Sequence, residues 1–151
     1  MQALYAFELG GGSQEEVDLR VLLASPNGKQ ADLDFARELF TKTIQHAAEA
    51  DKIISQHAEN WEFSRIALLD RLLLRMAICE ILAFEEIPPK VSINEAIEIA
   101  KKYSTAKSGQ FINGILDAGL LALRVEDRIK KTGRGLIEVS GVDENGDVPE
   151  E

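Results

Sequence analysis

Apolar residues recur at helical spacing along most of this chain, punctuated by proline, glycine and small polar residues. Leu4, Tyr5 and Leu9 share one helical face, and Gly10-Gly11-Gly12 stops that helix. Ser13 with Glu16 makes a capping box, hydroxyl to the third helical N–H and carboxylate back to the cap, opening a helix to about Ala24. Ser25-Pro26-Asn27-Gly28 is a turn. Asp32 or Asp34 then caps a long helix to about His57, with Phe35, Leu39, Thr43, Ile44, Ala47 and Ile54 inward.

Asn60 to Ser64 forms the next break. From Arg65 to about Phe84 nearly every position is apolar, Ile66, Leu69, Leu72, Leu73, Met76, Ala77 and Leu82 among them. A helix apolar most of the way round is central and contacted from several sides. Pro88 and Pro89 end it, since proline lacks an N–H and restricts the residue before it. Ser92 with Glu95 reads as a second capping box, opening a helix over 92–103 that turns Ile93, Ala96, Ile97 and Ala100 inward. A polar loop from Ser104 to Gly109 carries Lys107, and Phe111, Ile112, Ile115 and Leu116 begin a last helix over 109–131. No segment alternates over several residues, and Leu136 to Val142 is too short and glycine-flanked for a strand. The expected fold is all-α: a compact bundle of six to seven helices over 1–131, then an acidic tail, 132–151, that reads as disordered.

Composition changes this picture in two places. The 151 residues make one domain, and a single cysteine, Cys79, excludes an internal disulfide and fits a reducing compartment as apolar filler. With no run near the ~20 apolar residues of a membrane span and no signal peptide, the expectation is a soluble, cytoplasmic protein. The net charge of −9 argues against a nucleic-acid partner, because phosphate neutralisation by Lys and Arg supplies much of such affinity. Positions 132–151, however, hold Arg134 against six carboxylates, a net of −5, which leaves −4 on the body. Any RNA site must therefore be a local patch.

Candidate chemistry is sparse. His46 and His57 are eleven residues apart on the expected helix, roughly 16 Å, too far to share a metal. The glycine triplet precedes no Gly-Lys-Ser/Thr, and no serine has a histidine near it in the pattern. These residues point to no enzyme, no metal and no cofactor. Asp70, Arg71, Arg75 and Glu80 interrupt the apolar helix, and such charges must reach solvent or find partners. They are either an exposed stripe with internal ion pairs or a docking edge for a protein. Lys101, Lys107, Gln110, Phe111 and Asn113 gather around the start of the last helix, where free N–H groups suit a phosphate. An exposed Phe111 or Tyr5 could stack on an unpaired base; alternatively Phe111 is core and the lysines are simply solvated.

Three blocks carry a family resemblance. Pro89-Lys90-Val91, Ile93-Asn94-Glu95-Ala96, Ala100-Lys101 and Tyr103 are followed by Phe111-Ile112-Asn113-Gly114-Ile115-Leu116-Asp117. Asn60-Trp61, Ser64-Arg65-Ile66-Ala67, Asp70-Arg71, Leu74-Arg75-Met76-Ala77 and Glu80 form a second block, and Gln2-Ala3-Leu4-Tyr5 a third. In this order they resemble the NusB transcription antitermination family. The resemblance implies a non-enzymatic helical factor that binds boxA-type single-stranded leader RNA with ribosomal protein NusE. It further implies an indirect association with elongating RNA polymerase, notably on ribosomal RNA operons. It assigns Gln2, Tyr5, Lys101, Lys107, Gln110, Phe111 and Asn113 to RNA, and Asp70, Arg71, Arg75 and Glu80 to the partner.

Two departures qualify it. Gln110 stands where lysine is common in the family, and Lys107 restores a charge nearby. The family places an arginine-rich, RNA-contacting segment just before the Gln2 block. Either this lineage has lost it or the start lies further upstream, and the abrupt, uncapped first helix favours the second, so in-frame sequence upstream of Met1 is expected to encode several Arg or Lys residues. Two rivals share the fold. One is the N-terminal module of ribosomal RNA cytosine methyltransferases, which needs a further α/β domain. The other is a protein-binding helical adaptor, or a homodimer without RNA binding.

Overall fold

The computed structural model describes residues 1–10, 12–13, 15–16, 29–58 and 65–137. Six α-helices run in order: α1 (Gln2–Gly10), α2 (Gln30–Gln45), α3 (Ala47–His57), α4 (Leu68–Ala83), α5 (Pro89–Tyr103) and α6 (Ala106–Val125), followed by a 3-10 turn at Gly133–Leu136. No strand occurs among the described residues. The expected helix from Glu16 to Ala24 and the turn at Ser25–Gly28 lie outside them, although the Glu16 N–H does donate to the Ser13 hydroxyl at 3.2 Å.

The apolar run becomes the hub. α4 packs against all five other helices, and Leu72, Leu73, Leu74, Ala77, Ile78, Cys79 and Ile81 are buried around its whole circumference. One side meets Ile53 and Ile54 of α3, Ile93 and Ala96 of α5, and Ile112, Ile115 and Leu116 of α6. The other meets Leu4 of α1 and Phe40 of α2 through Leu72. Each such aliphatic side chain removed from water contributes about 1.5–3 kcal/mol, so this helix fixes the positions of the other five.

Several local expectations differ from the structure. At the start of α2 the N-cap is Lys29, with no side-chain cap bond, so Asp32 lies in the first turn and neither it nor Asp34 caps the helix. The last helix likewise starts at Ala106, inside the expected polar loop. The long helix before position 57 is two helices that turn at His46, whose φ of −95° and ψ of 7° leave the helical region. No proline or glycine marks the turn. Across it, α2 lies on α4 while α3 reaches both α4 and α6. The Ser92 capping box is absent, because α5 starts at Pro89, whose fixed φ suits the first helical position. Ser92 is instead a buried helical residue facing Glu80.

The last helix stops at Val125, six residues early. Asp127 takes a left-handed φ of 54°, the Asp127 N–H donates to Arg124 O and the Arg128 N–H to Leu123 O. This is a Schellman stop built on aspartate in place of glycine.

Composition began the tail at 132, yet the chain stays on the body through residue 137. Lys131 Nζ donates to the carbonyls of Glu80 (3.1 Å) and Phe84 (2.7 Å), capping the negative end of α4. The Thr132 N–H donates to Glu85 O at 2.9 Å. Gly135 passes so close that a Cβ there would stand 1.9 Å from Glu85 O. Residues 126–137 thus form a strap over the α4–α5 turn, and 138–151 lie outside the described residues.

Candidate nucleic-acid interface

The start of α6 is held by a relay of small hydroxyls. Thr105, extended at the N-cap, accepts from the Ser108 N–H at 3.2 Å, as a threonine cap does. Ser104 and Ser108 share a 2.8 Å hydroxyl contact, and Ser108 Oγ donates to Asp70 Oδ2 at 3.0 Å. That last bond spans 38 positions in sequence and pins the first turn of α6 to the first turn of α4. The Lys101 stem and Ile97 lie 3.8 Å from where a Cβ on Gly109 would be, so α5 runs close over this turn.

Between the two pinned helix starts lies a groove of about 250 Å³. Ile66, Ala67 and Phe111 make its apolar walls, Arg65, Lys107 and Thr105 line it further, and Asp70 and Ser108 complete it. Asp70 is 6% exposed. Lys107 is exposed and Phe111 half-buried against the main core. A helix start with a cation and an aromatic wall can hold a phosphate and an unpaired base side by side.

The residues singled out from sequence separate here into three groups. Lys107, Phe111 and Asp70 meet in the groove. Lys101 flanks the same turn of α6, with its ammonium 3.4 Å from Glu98; Gln110 and Asn113 are exposed further along α6. Gln2 and Tyr5 are exposed on α1 and do not line the groove.

The α4 charges divide as well. Arg75 grips Asp51 of α3 with two bonds of 2.6 and 2.8 Å and has Glu8 of α1 at 3.8 Å. Its side chain is only 12% exposed, and the hydrogen bond with Asp51 raises its already high pKa. Arg75 is therefore a tie between α1, α3 and α4. Glu80 is half-buried under the strap, where burial pushes its carboxyl up, while Ser92 and Lys131 favour the ionised form. Arg71 is half-buried near the groove end of α4. Sequence reading noted Arg65 only within a motif and passed over Ser104, Thr105 and Ser108. The Thr-x-x-Ser spacing at a helix start was the available signal for that relay.

Outside the groove, Lys90 and Asp117 pair at 3.3 Å across α5 and α6, an exposed tie worth about 0–1 kcal/mol. Among the described residues no three His, Cys, Asp or Glu side chains could hold a metal ion together, and no described helix is long and apolar enough to cross a membrane.

Comparisons with known proteins agree with this architecture. A family model described as "NusB family" matches residues 1–120. Transcription antitermination protein NusB of Salinibacter ruber is 52% identical over 145 residues, covering 95% of this chain and 90% of that protein. Among solved structures, T. maritima NusB matches with a TM-score of 0.71 at 35% identity, over 78% of this chain and 82% of that one. A structure of antitermination factors NusB and NusE in complex with dsRNA matches with a TM-score of 0.73 at 26% identity, over 80% and 89%.

Proposed function

This chain belongs to the NusB family, and on that premise we propose that it is a transcription antitermination factor binding boxA-type single-stranded leader RNA jointly with ribosomal protein NusE. In this reading it works in the cytoplasm, joins elongating RNA polymerase indirectly and supports transcription of ribosomal RNA operons. It does so by adhesion and positioning, without bond chemistry.

The observation that carries the proposal is the groove joining Lys107 and Phe111 to the pinned start of α6. RNA backbone passes the exposed Lys107 and the amide-rich helix start, and a base lies on Phe111. Lys101, Gln110 and Asn113 extend the contact along α5 and α6, and Gln2 and Tyr5 supply a second, separate patch on α1. For NusE, the proposed edge is the groove end of α4 around Arg71. Arg75 and Glu80 act from within, holding α4 in register rather than touching the partner. Joint binding makes the two ligands tighten one another reciprocally.

With a net charge of −9, RNA affinity depends on few local cations and falls with salt. Lys107→Ala should weaken binding about equally for every RNA sequence and reduce the logarithmic salt slope by about 0.7. Titrations at several salt concentrations measure this, and an unchanged slope would remove Lys107 from the interface.

A further inference from the structure

The strap fixes the point from which the acidic segment of the chain departs. Lys131 sits on the last carbonyls of α4, so the residues after Ile137 leave from the C-terminal end of that helix. The groove lies at the other end, in the first turn of α4, where Asp70 meets Ser108. Asp70 and Phe84 are 14 positions apart, which puts the two ends about 21 Å apart at a rise of about 1.5 Å per residue.

Residues 138–151 hold six carboxylates and no cation. Fourteen residues extend to at most about 46 Å, and a coil of that length has a root-mean-square span of about 20 Å. That span matches the distance to the groove. A tethered group then reaches its highest effective concentration, on the order of millimolar.

Charge decides where such a segment rests. The four cations of the strap, Arg128, Lys130, Lys131 and Arg134, are matched in number by Glu85, Glu86, Glu126 and Asp127. At the groove end Arg65, Lys101, Lys102 and Lys107 are all exposed. The described carboxylates there are Glu98, which pairs with Lys101 at 3.4 Å, and Asp70, which is buried. Among the described residues, the groove end therefore carries an excess of two positive charges in a chain whose net charge is −9.

Resting on the RNA-binding reading above, we propose that the acidic segment 138–151 docks on this cationic groove end and competes there with RNA phosphate. RNA must displace an internal polyanion to bind, so the segment filters out weak, non-specific RNA. Exposed ion pairs are individually weak, so the restraint amounts to about two- to tenfold in affinity, and it fades as salt screens the charges.

The test keeps the full chain. In one arm the six carboxylates are neutralised together, as Glu138→Gln, Asp143→Asn, Glu144→Gln, Asp147→Asn, Glu150→Gln and Glu151→Gln. A labelled boxA-type RNA is then titrated into both proteins at low and high salt. The neutralised chain should bind about two- to tenfold tighter at low salt, and the gap should close at high salt. In the other arm Glu151→Cys carries a nitroxide spin label, while the fully buried Cys79 stays unlabelled. The label should broaden the Lys107 and Ser108 amide signals relative to its reduced form, and added RNA should restore them.

Broadening confined to strap amides such as Lys130 and Arg134, or none on the body, would overturn the docking. Any gain from neutralisation would then be long-range repulsion alone. Equal RNA affinity of the two chains at low salt would overturn the competition while leaving RNA binding intact. Binding of RNA by neither chain would fail the RNA reading itself, and this proposal with it.

Discussion

Gly135→Ala probes how the strap is held. Gly135 is buried, and a Cβ built on it lies 1.9 Å from Glu85 O, 2.9 Å from Glu85 C and 3.2 Å from Glu86 C. The obstacle is backbone on the α4–α5 turn, which cannot rotate away as a side chain would. The strap must lift, and the bonds beside Gly135 go with it. The Thr132 N–H to Glu85 O bond is worth about 0.5–1.5 kcal/mol, and the Lys131 ammonium on two carbonyls about 1.5–3 kcal/mol. Lys131 is half-exposed, and freed residues regain backbone entropy, so a net loss of about 1.5–3 kcal/mol is expected. Urea denaturation should show this as a lower midpoint at unchanged slope. Hydrogen exchange should show the Thr132 amide losing protection while the α4 amides keep theirs. An unchanged midpoint with a protected Thr132 amide would refute the reasoning, since the strap would then not be pinned at Gly135.

Three further predictions concern the body. Asp51→Ala removes both hydrogen bonds of the 12%-exposed Arg75 guanidinium and leaves it only Glu8 at 3.8 Å, which should cost about 2–4 kcal/mol; a double-mutant cycle with Arg75→Met should recover part of it, and zero coupling would contradict the tie. Gly114 is an exposed mid-helix glycine with no atom within 4 Å of a Cβ position, so Gly114→Ala should stabilise by about 0.5–1 kcal/mol in thermal melts, and a lower Tm would count against that open space. Burial raises the Glu80 carboxyl, so the folded state binds its proton more tightly than the unfolded chain. Its contribution is thus fully favourable below the unfolded value of about 4.3 and is lost as pH rises through the folded value. Glu80→Gln should accordingly be more stable than the parent at pH 7 and indistinguishable near pH 4; the reverse order in urea titrations would contradict the sign.

The hub of the fold was legible because its cause is local. A run such as Leu72-Leu73-Leu74 with Ala77 and Ile78 has no polar face to offer water, so it must be central, and it is. What escaped reading was decided by distant partners. Nothing near His46 breaks a helix, and the turn there answers to packing on α4 and α6. Ser92 looked like a cap because its neighbours fit the pattern, but the prolines had already started the helix. Asp127 is a poor sequence signal for a left-handed stop, and Ile129 continued the apolar spacing past it.

The candidate site shows the same division. Lys107 and Phe111 were found from helix position, whereas the Asp70–Ser108 bond joins residues 38 apart and required the fold. That bond places Asp70 on the wall of the groove between α4 and α6. In sequence Arg75 could belong to an internal ion pair or to a docking edge, and the fold is what brings Asp51 to it.

The most direct test of the account is fluorescence anisotropy of a labelled boxA-type RNA and a scrambled control, with this protein alone and with NusE added. The account predicts selective binding of the boxA-type RNA that tightens when NusE is present. Equal, weak binding of both RNAs that NusE leaves unchanged would contradict it and favour a protein-binding adaptor on the same fold.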